Sequence, residues 1–177
     1  MELDTKNVAS FQIDHTKLKC GLFVSRKDLV GSNVITTFDI RMKRPYYDEP
    51  MGTGSIHALE HLIATYMRSD SLWGDRIIYF GPMGCRTGFY LVVAGDLESQ
   101  DLLPFIERTF DFVSDFEGEI PASNPKECGN CFDMDLEMAK VDATLYYNII
   151  IAPKKENLVY PVKRERKKAT PKDTPKE

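Results

Sequence analysis

The sequence lacks several features, and each absence narrows the field. It has no apolar run near the roughly 20 residues that a membrane-spanning helix needs. It has no basic start followed by an apolar stretch: MELDTKNVAS opens acidic and polar, so no secretory leader is expected. No internal repeat is visible. Cysteine is sparse, four in 177 residues, at Cys20, Cys85, Cys128 and Cys131. With no mark of secretion, these thiols are expected in a reducing compartment, the cytoplasm. There, clustered cysteines signal metal or catalysis more often than disulfides. Cys20 stands alone and reads as a buried thiol.

What is present suits one soluble globular domain, with 42% hydrophobic and 28% charged residues. Charge is unevenly placed. Residues 154–177 carry nine Lys/Arg against four Asp/Glu, a net of +5, so the chain's −4 leaves −9 for the rest. The basic end, KRERKKATPKDTPKE, holds Pro171 and Pro175 and no apolar periodicity. A folded domain over residues 1–152 and a solvated, disordered tail over 153–177 are expected. The acidic body argues against nucleic acid as a partner, and no membrane partner is expected.

Local patterning predicts an irregular order of elements. NVITTFDIR, residues 33–41, alternates and is β-branched, hence a strand. Residues 76–80 and 89–94 read as two more, joined by the turn-rich GPMGCRTG. Helices are expected over 56–67, with Ser55 as N-cap, over 99–116 and over 133–151. In the second, Pro104 falls near the start, where proline is best tolerated. In the third, Leu136, Ala139, Ala143, Tyr147 and Ile150 share a face. Strands and helices do not alternate regularly, which favours an α+β fold over a doubly wound parallel sheet.

Against this background one stretch carries chemistry: GSIHALEHLIATYMR, residues 54–68. His57-Ala-Leu-Glu60-His61 reverses the His-Glu-x-x-His order of zinc hydrolases. At about 100° per residue, His57 and His61 lie about 40° apart on one helical face, one turn from each other. Two imidazoles so placed can share a metal ion. Glu60 flanks them, placed for acid/base work rather than for a third bond to the metal. A third ligand must come from elsewhere: Cys128 or Cys131 in KECGNCFDM, Cys85, or an acid such as Glu137. If both Cys128 and Cys131 joined the histidines, the site would be closed and structural, and Glu60 and Cys85 would have no role.

Cys85 sits in Gly81-Pro-Met-Gly-Cys-Arg-Thr-Gly88, with a glycine on each side to let the backbone turn and expose the thiol. The adjacent Arg86 is a cation that favours thiolate. A metal with an open position, a free carboxylate and a free thiol form one kit. It suits moving a proton beside a sugar carbonyl, giving isomerisation, or elimination where a leaving group stands β to the carbonyl.

Five segments together resemble the S-ribosylhomocysteine lyase (autoinducer-2 synthase) family. They are Ser10-Phe-Gln-Ile-Asp-His15, Thr37-Phe-Asp-Ile-Arg41, His57-Ala-Leu-Glu-His61, Gly81-Pro-Met-Gly-Cys85-Arg-Thr-Gly-Phe-Tyr90 and Glu127-Cys128-Gly. They stand in the family's order and approximate spacing over about residues 8–150. The resemblance implies a mostly antiparallel sheet packed against helices, in a homodimer with active sites at the subunit interface. It implies cleavage of S-ribosylhomocysteine to homocysteine and 4,5-dihydroxy-2,3-pentanedione, by two carbonyl migrations and a β-elimination. His57, His61 and Cys128 match the family's metal ligands, for iron(II) or, in its place, zinc or cobalt. Cys85 and Glu60 match the acid/base pair. Ser10, His15, Arg41 and Arg86 match positions around the substrate.

Two departures stand out. Tyr79 occupies a position where many members have Asp, and Cys131 stands where an aromatic residue is expected. Cys131 is expected to pack rather than bind metal. Three rivals remain at this point. A zinc deaminase would need His-x-Glu and an adjacent Pro-Cys-x-x-Cys, and neither spacing is met here. A reversed-motif metallopeptidase would take Glu137 as third ligand. A metal-stapled interaction domain would use both Cys128 and Cys131.

Overall fold

The computed structural model describes residues 12–161. Strands β1 (Gly21–Val30), β2 (Asn33–Arg41), β3 (Ile77–Pro82) and β4 (Gly88–Ala94) form one antiparallel sheet in the order β1-β2-β4-β3. Helices α1 (Thr53–Ser69), α2 (Ser99–Ser114) and α3 (Leu136–Ile150) share a core with that sheet. The α+β class expected from the irregular element order is what the chain adopts. No helix among the described residues is long and apolar enough to cross a membrane.

β1 has no counterpart among the strands expected from the sequence. A bulge between Val24 and Arg26 shifts its register against β2, and its buried residues, Gly21, Leu22 and Phe23, lie together at its start instead of alternating. The first helix begins earlier than expected, with Gly52 rather than Ser55 at the N-cap. Ser55 is instead buried, and its hydroxyl donates to Asp142 Oδ2 at 2.5 Å, tying α1 to α3. α2 starts with a reciprocal cap, in which the Glu98 amide donates to Asp101 Oδ2 at 2.8 Å. Leu102, Phe105, Ile106, Phe110 and Val113 then line its buried face. α3 is capped by Asp135, whose carboxylate accepts from the Met138 amide at 2.9 Å. Tyr146, rather than the expected Tyr147, is its fully buried aromatic. It packs edge-on to Phe110 and donates to the Gly21 carbonyl at 2.9 Å.

Strand alternation gives the sheet two different faces. On β2, Phe38 and Ile40 enter the core with the helices. Asp39 and Arg41 point the other way. Register places Phe23, Asp39 and Tyr90 in one row across that second face, and Gly21, Arg41 and Gly88 in the next.

The first residues of the expected tail are among those the structure describes. Residues 153–161 continue as a strap with a 3-10 turn at Lys155–Asn157, bonded to the start of β1. The remainder of the expected tail lies outside the described residues.

Candidate metal centre and thiol cavity

α1 carries His57 and His61 toward the loop of residues 121–134. Their rings meet edge to face with centroids 4.9 Å apart. Each Nδ1–H donates to a backbone carbonyl of that loop, His57 to Asp133 and His61 to Pro121, both at 2.8 Å. These bonds fix the tautomers, so that Nε2 carries the lone pair on each ring. Cys128 Sγ stands 3.3 Å from His57 Nε2 and accepts the Asn130 amide at 3.4 Å. One ligand atom from each of His57, His61 and Cys128 lies within 4.8 Å of the others. Two imidazole nitrogens and one sulfur, with no fourth protein ligand among the described residues, are the donor set of an open centre. Neither Cys131 nor Glu137 joins the group. Glu137 is exposed in the first turn of α3, and the Cys131 thiol is free.

Why the loop returns to α1 is visible in its bonds. The Asn124 carbonyl accepts the amides of Glu127 and Cys128, a tight turn that presents the thiol. The Asp135 amide donates to the Gly54 carbonyl at 3.0 Å, drawing the start of α3 against the start of α1. Glu60 lies beside this corner, half-buried. Among the described residues no hydrogen bond or ion pair engages its carboxylate.

Cys85 occupies the β3–β4 loop, exposed, at a cavity of about 790 Å³ lined among others by His15, Arg41, Tyr46, Met83, Thr87 and Tyr90. Its sulfur is 3.1 Å from Thr87 Oγ1 and 3.9 Å from Arg41 Nη1. Burial raises the thiol's pKa. The Thr87 bonds and the Arg41 charge more than offset this and hold it below the ordinary thiol range. Arg41 is only 2% exposed. It bonds Thr87 Oγ1 at 2.5 Å and Asp39 Oδ2 at 2.6 Å. His15, partly buried, lines the same cavity and donates from Nδ1 to the Ile13 carbonyl at 3.0 Å.

The cation that reaches the thiol is therefore Arg41, not its neighbour Arg86. The Arg86 guanidinium turns back to donate to the Met51 carbonyl at 3.2 Å and does not line the cavity. Tyr79 does not line it either; its hydroxyl lies over Gly81. Ser10 lies outside the described residues. Sequence reasoning missed Asp39 and Thr87, although both stand two residues from a residue it named. Strand periodicity places Asp39 on the face of Arg41 and would have marked it; Thr87 lies with Cys85 in the β3–β4 loop, where no such period holds.

Among the described residues, three other than glycine have positive φ: Tyr46 (69°), Arg86 (57°) and Ala122 (58°). Tyr46 lines the cavity, Arg86 follows Cys85, and Ala122 follows the carbonyl that holds His61. Among the described residues, positive φ outside glycine thus falls at the metal-ligand corner and the thiol cavity.

The chain matches the S-ribosylhomocysteinase (LuxS) family over residues 8–157, and it belongs to that family. It is 50% identical over 159 residues to an S-ribosylhomocysteine lyase of Phocaeicola vulgatus, covering 89% of this chain and 99% of that protein. A protein of the same name from Porphyromonas gingivalis is 48% identical over 157 residues, with 88% and 99% covered. One from Finegoldia magna is 50% identical over 154 residues, with 87% and 97% covered.

Proposed function

We propose that this chain is a metal-dependent carbon–sulfur lyase that cleaves S-ribosylhomocysteine to homocysteine and 4,5-dihydroxy-2,3-pentanedione. The observation that carries the proposal is the open His57–His61–Cys128 group, with both Nδ1 atoms already engaged, in a chain of this family. These three residues would hold one divalent metal; their donor set suits iron(II), zinc or cobalt alike. When bound, the metal supplies a Lewis acid that polarises the sugar carbonyl.

The chain's own residues supply the proton movements. Glu60 and Cys85 take a proton from the carbon beside the carbonyl and return one at the neighbouring position, twice. A final removal of a proton expels homocysteine as its thiolate, the carbon–sulfur electron pair leaving with sulfur. Arg41 and Thr87 keep Cys85 poised to act as base, and His15 and Arg41 line the space for the ribose. The depressed thiol of Cys85 fits that duty. Ser10 is assigned to the substrate by the family resemblance. Arg86 is assigned to the rim of the site, where its bond to Met51 steadies the Cys85 loop.

The active unit is a homodimer in this proposal, with each site shared between two copies. Two observations support it. The metal group and the thiol cavity share no residue: the first lies on α1 and the 121–134 loop, the second among others on β2, β4 and the β3–β4 loop. In addition, Phe132 (90% exposed), Tyr46 (84%) and the α3 residues Met138, Val141 and Leu145 present apolar surface. Residues 1–152 are the catalytic unit in this proposal, and the basic segment from 153 is a tail whose first residues strap back onto the sheet. Four free thiols suit the cytoplasm as its compartment.

The test is Cys85→Ala, assayed for thiol release from S-ribosylhomocysteine with metal content measured on the same sample. Full metal content with no turnover is expected. A fully active variant would overturn the assignment.

A further inference from the structure

The strap of residues 153–161 crosses the beginning of β1 and ends over the second face of the sheet. Asn157 Nδ2 donates to the Cys20 carbonyl at 2.8 Å, and Ser99 Oγ to the Leu158 carbonyl at 3.2 Å. Gly21 is required for this approach: a Cβ there would stand 2.0 Å from the Asn157 carbonyl oxygen. The strap delivers Tyr160, three residues past the stretch matched by the family. Its ring stacks on Phe23 with centroids 4.7 Å apart and planes 10° from parallel. Its hydroxyl donates to Asp39 Oδ2 at 2.8 Å.

Asp39 is 1% exposed. The bonds it receives among the described residues come from Arg41 and Tyr160, both on Oδ2; Oδ1 has no partner. A continuous chain of contacts therefore runs from Tyr160 through Asp39 and Arg41 to the Cys85 thiol. We propose that Tyr160 is a positioning residue for Cys85: its hydroxyl holds the Asp39 carboxylate against Arg41 and so sets how much of the guanidinium's charge reaches the thiol.

The sign follows from which atoms are held. Burial pushes the Asp39 carboxyl above the usual carboxylate range, against the pull of Arg41 and of the Tyr160 hydroxyl. Removing the hydroxyl shifts Asp39 further toward its neutral form. Arg41 stays in place, because Nη1, the nitrogen facing the thiol, is anchored separately by Thr87. A neutral Asp39 no longer offsets the guanidinium, so its charge acts on Cys85 undiluted and the thiol ionises at lower pH. The other titratable or charged groups at this cavity are His15 from the N-terminal segment, Tyr46, Tyr47, Asp48 and Glu49 from the β2–α1 loop, and Tyr90 from β4. A thiol that must both take and return a proton works best near the operating pH, and the strap tempers Arg41 to that end.

The inference rests on the reading of Cys85 as the proton-carrying thiol, so the test avoids turnover. The rate of iodoacetamide alkylation at the Cys85 peptide is followed by mass spectrometry across pH in the metal-loaded protein. Tyr160→Phe keeps the stack on Phe23 and should lower the midpoint by about one unit. Asp39→Asn should lower it at least as far, and adding Tyr160→Phe to it should change nothing more. The Asp39→Asn arm also stands if Tyr160→Phe folds poorly. A Tyr160→Phe midpoint equal to the native one, with only thermal stability reduced, would overturn the proposal by reducing Tyr160 to a structural tether. An equal additional shift in the Asp39→Asn background would also overturn it. Failure of the lyase reading would show separately, as undiminished thiol release by Cys85→Ala.

Discussion

The His57–His61–Cys128 corner and the Cys85 cavity differ in what holds them. In the corner, backbone does the holding: loop carbonyls fix both imidazoles, and amides position the sulfur. In the cavity, buried side chains do it. Arg41 and Asp39, 2% and 1% exposed, are locked to each other and to Thr87 beneath an exposed thiol. A metal site needs ligand atoms at fixed places and tolerates no change of donor. A proton-carrying thiol needs a tuned field, which a substitution can shift without destroying. The two corners should therefore fail differently when altered.

The largest effect is expected at the corner. Cys128→Ala should lose the metal and all thiol release, whereas Cys131→Ala and Glu137→Ala should keep both. Metal analysis after gel filtration checks this, and metal loss from Glu137→Ala would favour the peptidase. Next comes Glu60→Gln, which should retain metal and melting temperature while turnover falls by about 10²–10⁴-fold. Unfolding in its place would mark Glu60 as structural.

The cavity should show the graded response. In Arg41→Met the cation beside Cys85 is gone, so the alkylation midpoint of that thiol should rise toward the ordinary thiol range. In the native chain the thiolate is preferred by the fold; that preference is complete above the ordinary thiol pKa and is lost as pH falls through the depressed value. The same variant leaves Asp39 buried without a counter-charge, at a cost of about 3–5 kcal/mol read by denaturant unfolding. The smallest effect lies outside both regions. Ser55→Ala strips a donor from buried Asp142, which Lys43 also holds at 2.5 Å, and should cost about 1–3 kcal/mol with metal content intact.

The two regions also differ in how far they could be read from sequence. His57 and His61 lie on one helix, so a spacing of four residues already states their geometry. Cys128 is 71 residues from His57, and no local pattern chooses it over Cys131; the fold does so by bringing one sulfur beside the histidine. In the cavity, Arg41 and His15 were named through family resemblance, since a charged residue ending a strand looks the same whether solvated or buried. The Tyr160–Asp39 bond spans 121 positions and leaves no mark in either local segment. Ser55 illustrates the same limit. It has the chemistry of a cap, but its partner stands 87 residues away and draws it into the core. β1 escaped notice because its bulge breaks the alternation by which strands are recognised.

The account stands or falls on two copies completing one site. Cys85→Ala retains the metal corner and Cys128→Ala retains the thiol, and each alone should be inactive. Unfolded together in equal amounts and refolded with metal, half of the dimers pair one chain of each kind, and each such dimer holds one intact site. The mixture should recover about a quarter of the native thiol release. No recovery, with mixed dimers demonstrated by mass spectrometry, would contradict a shared site and require the corner and the thiol of a single chain to meet.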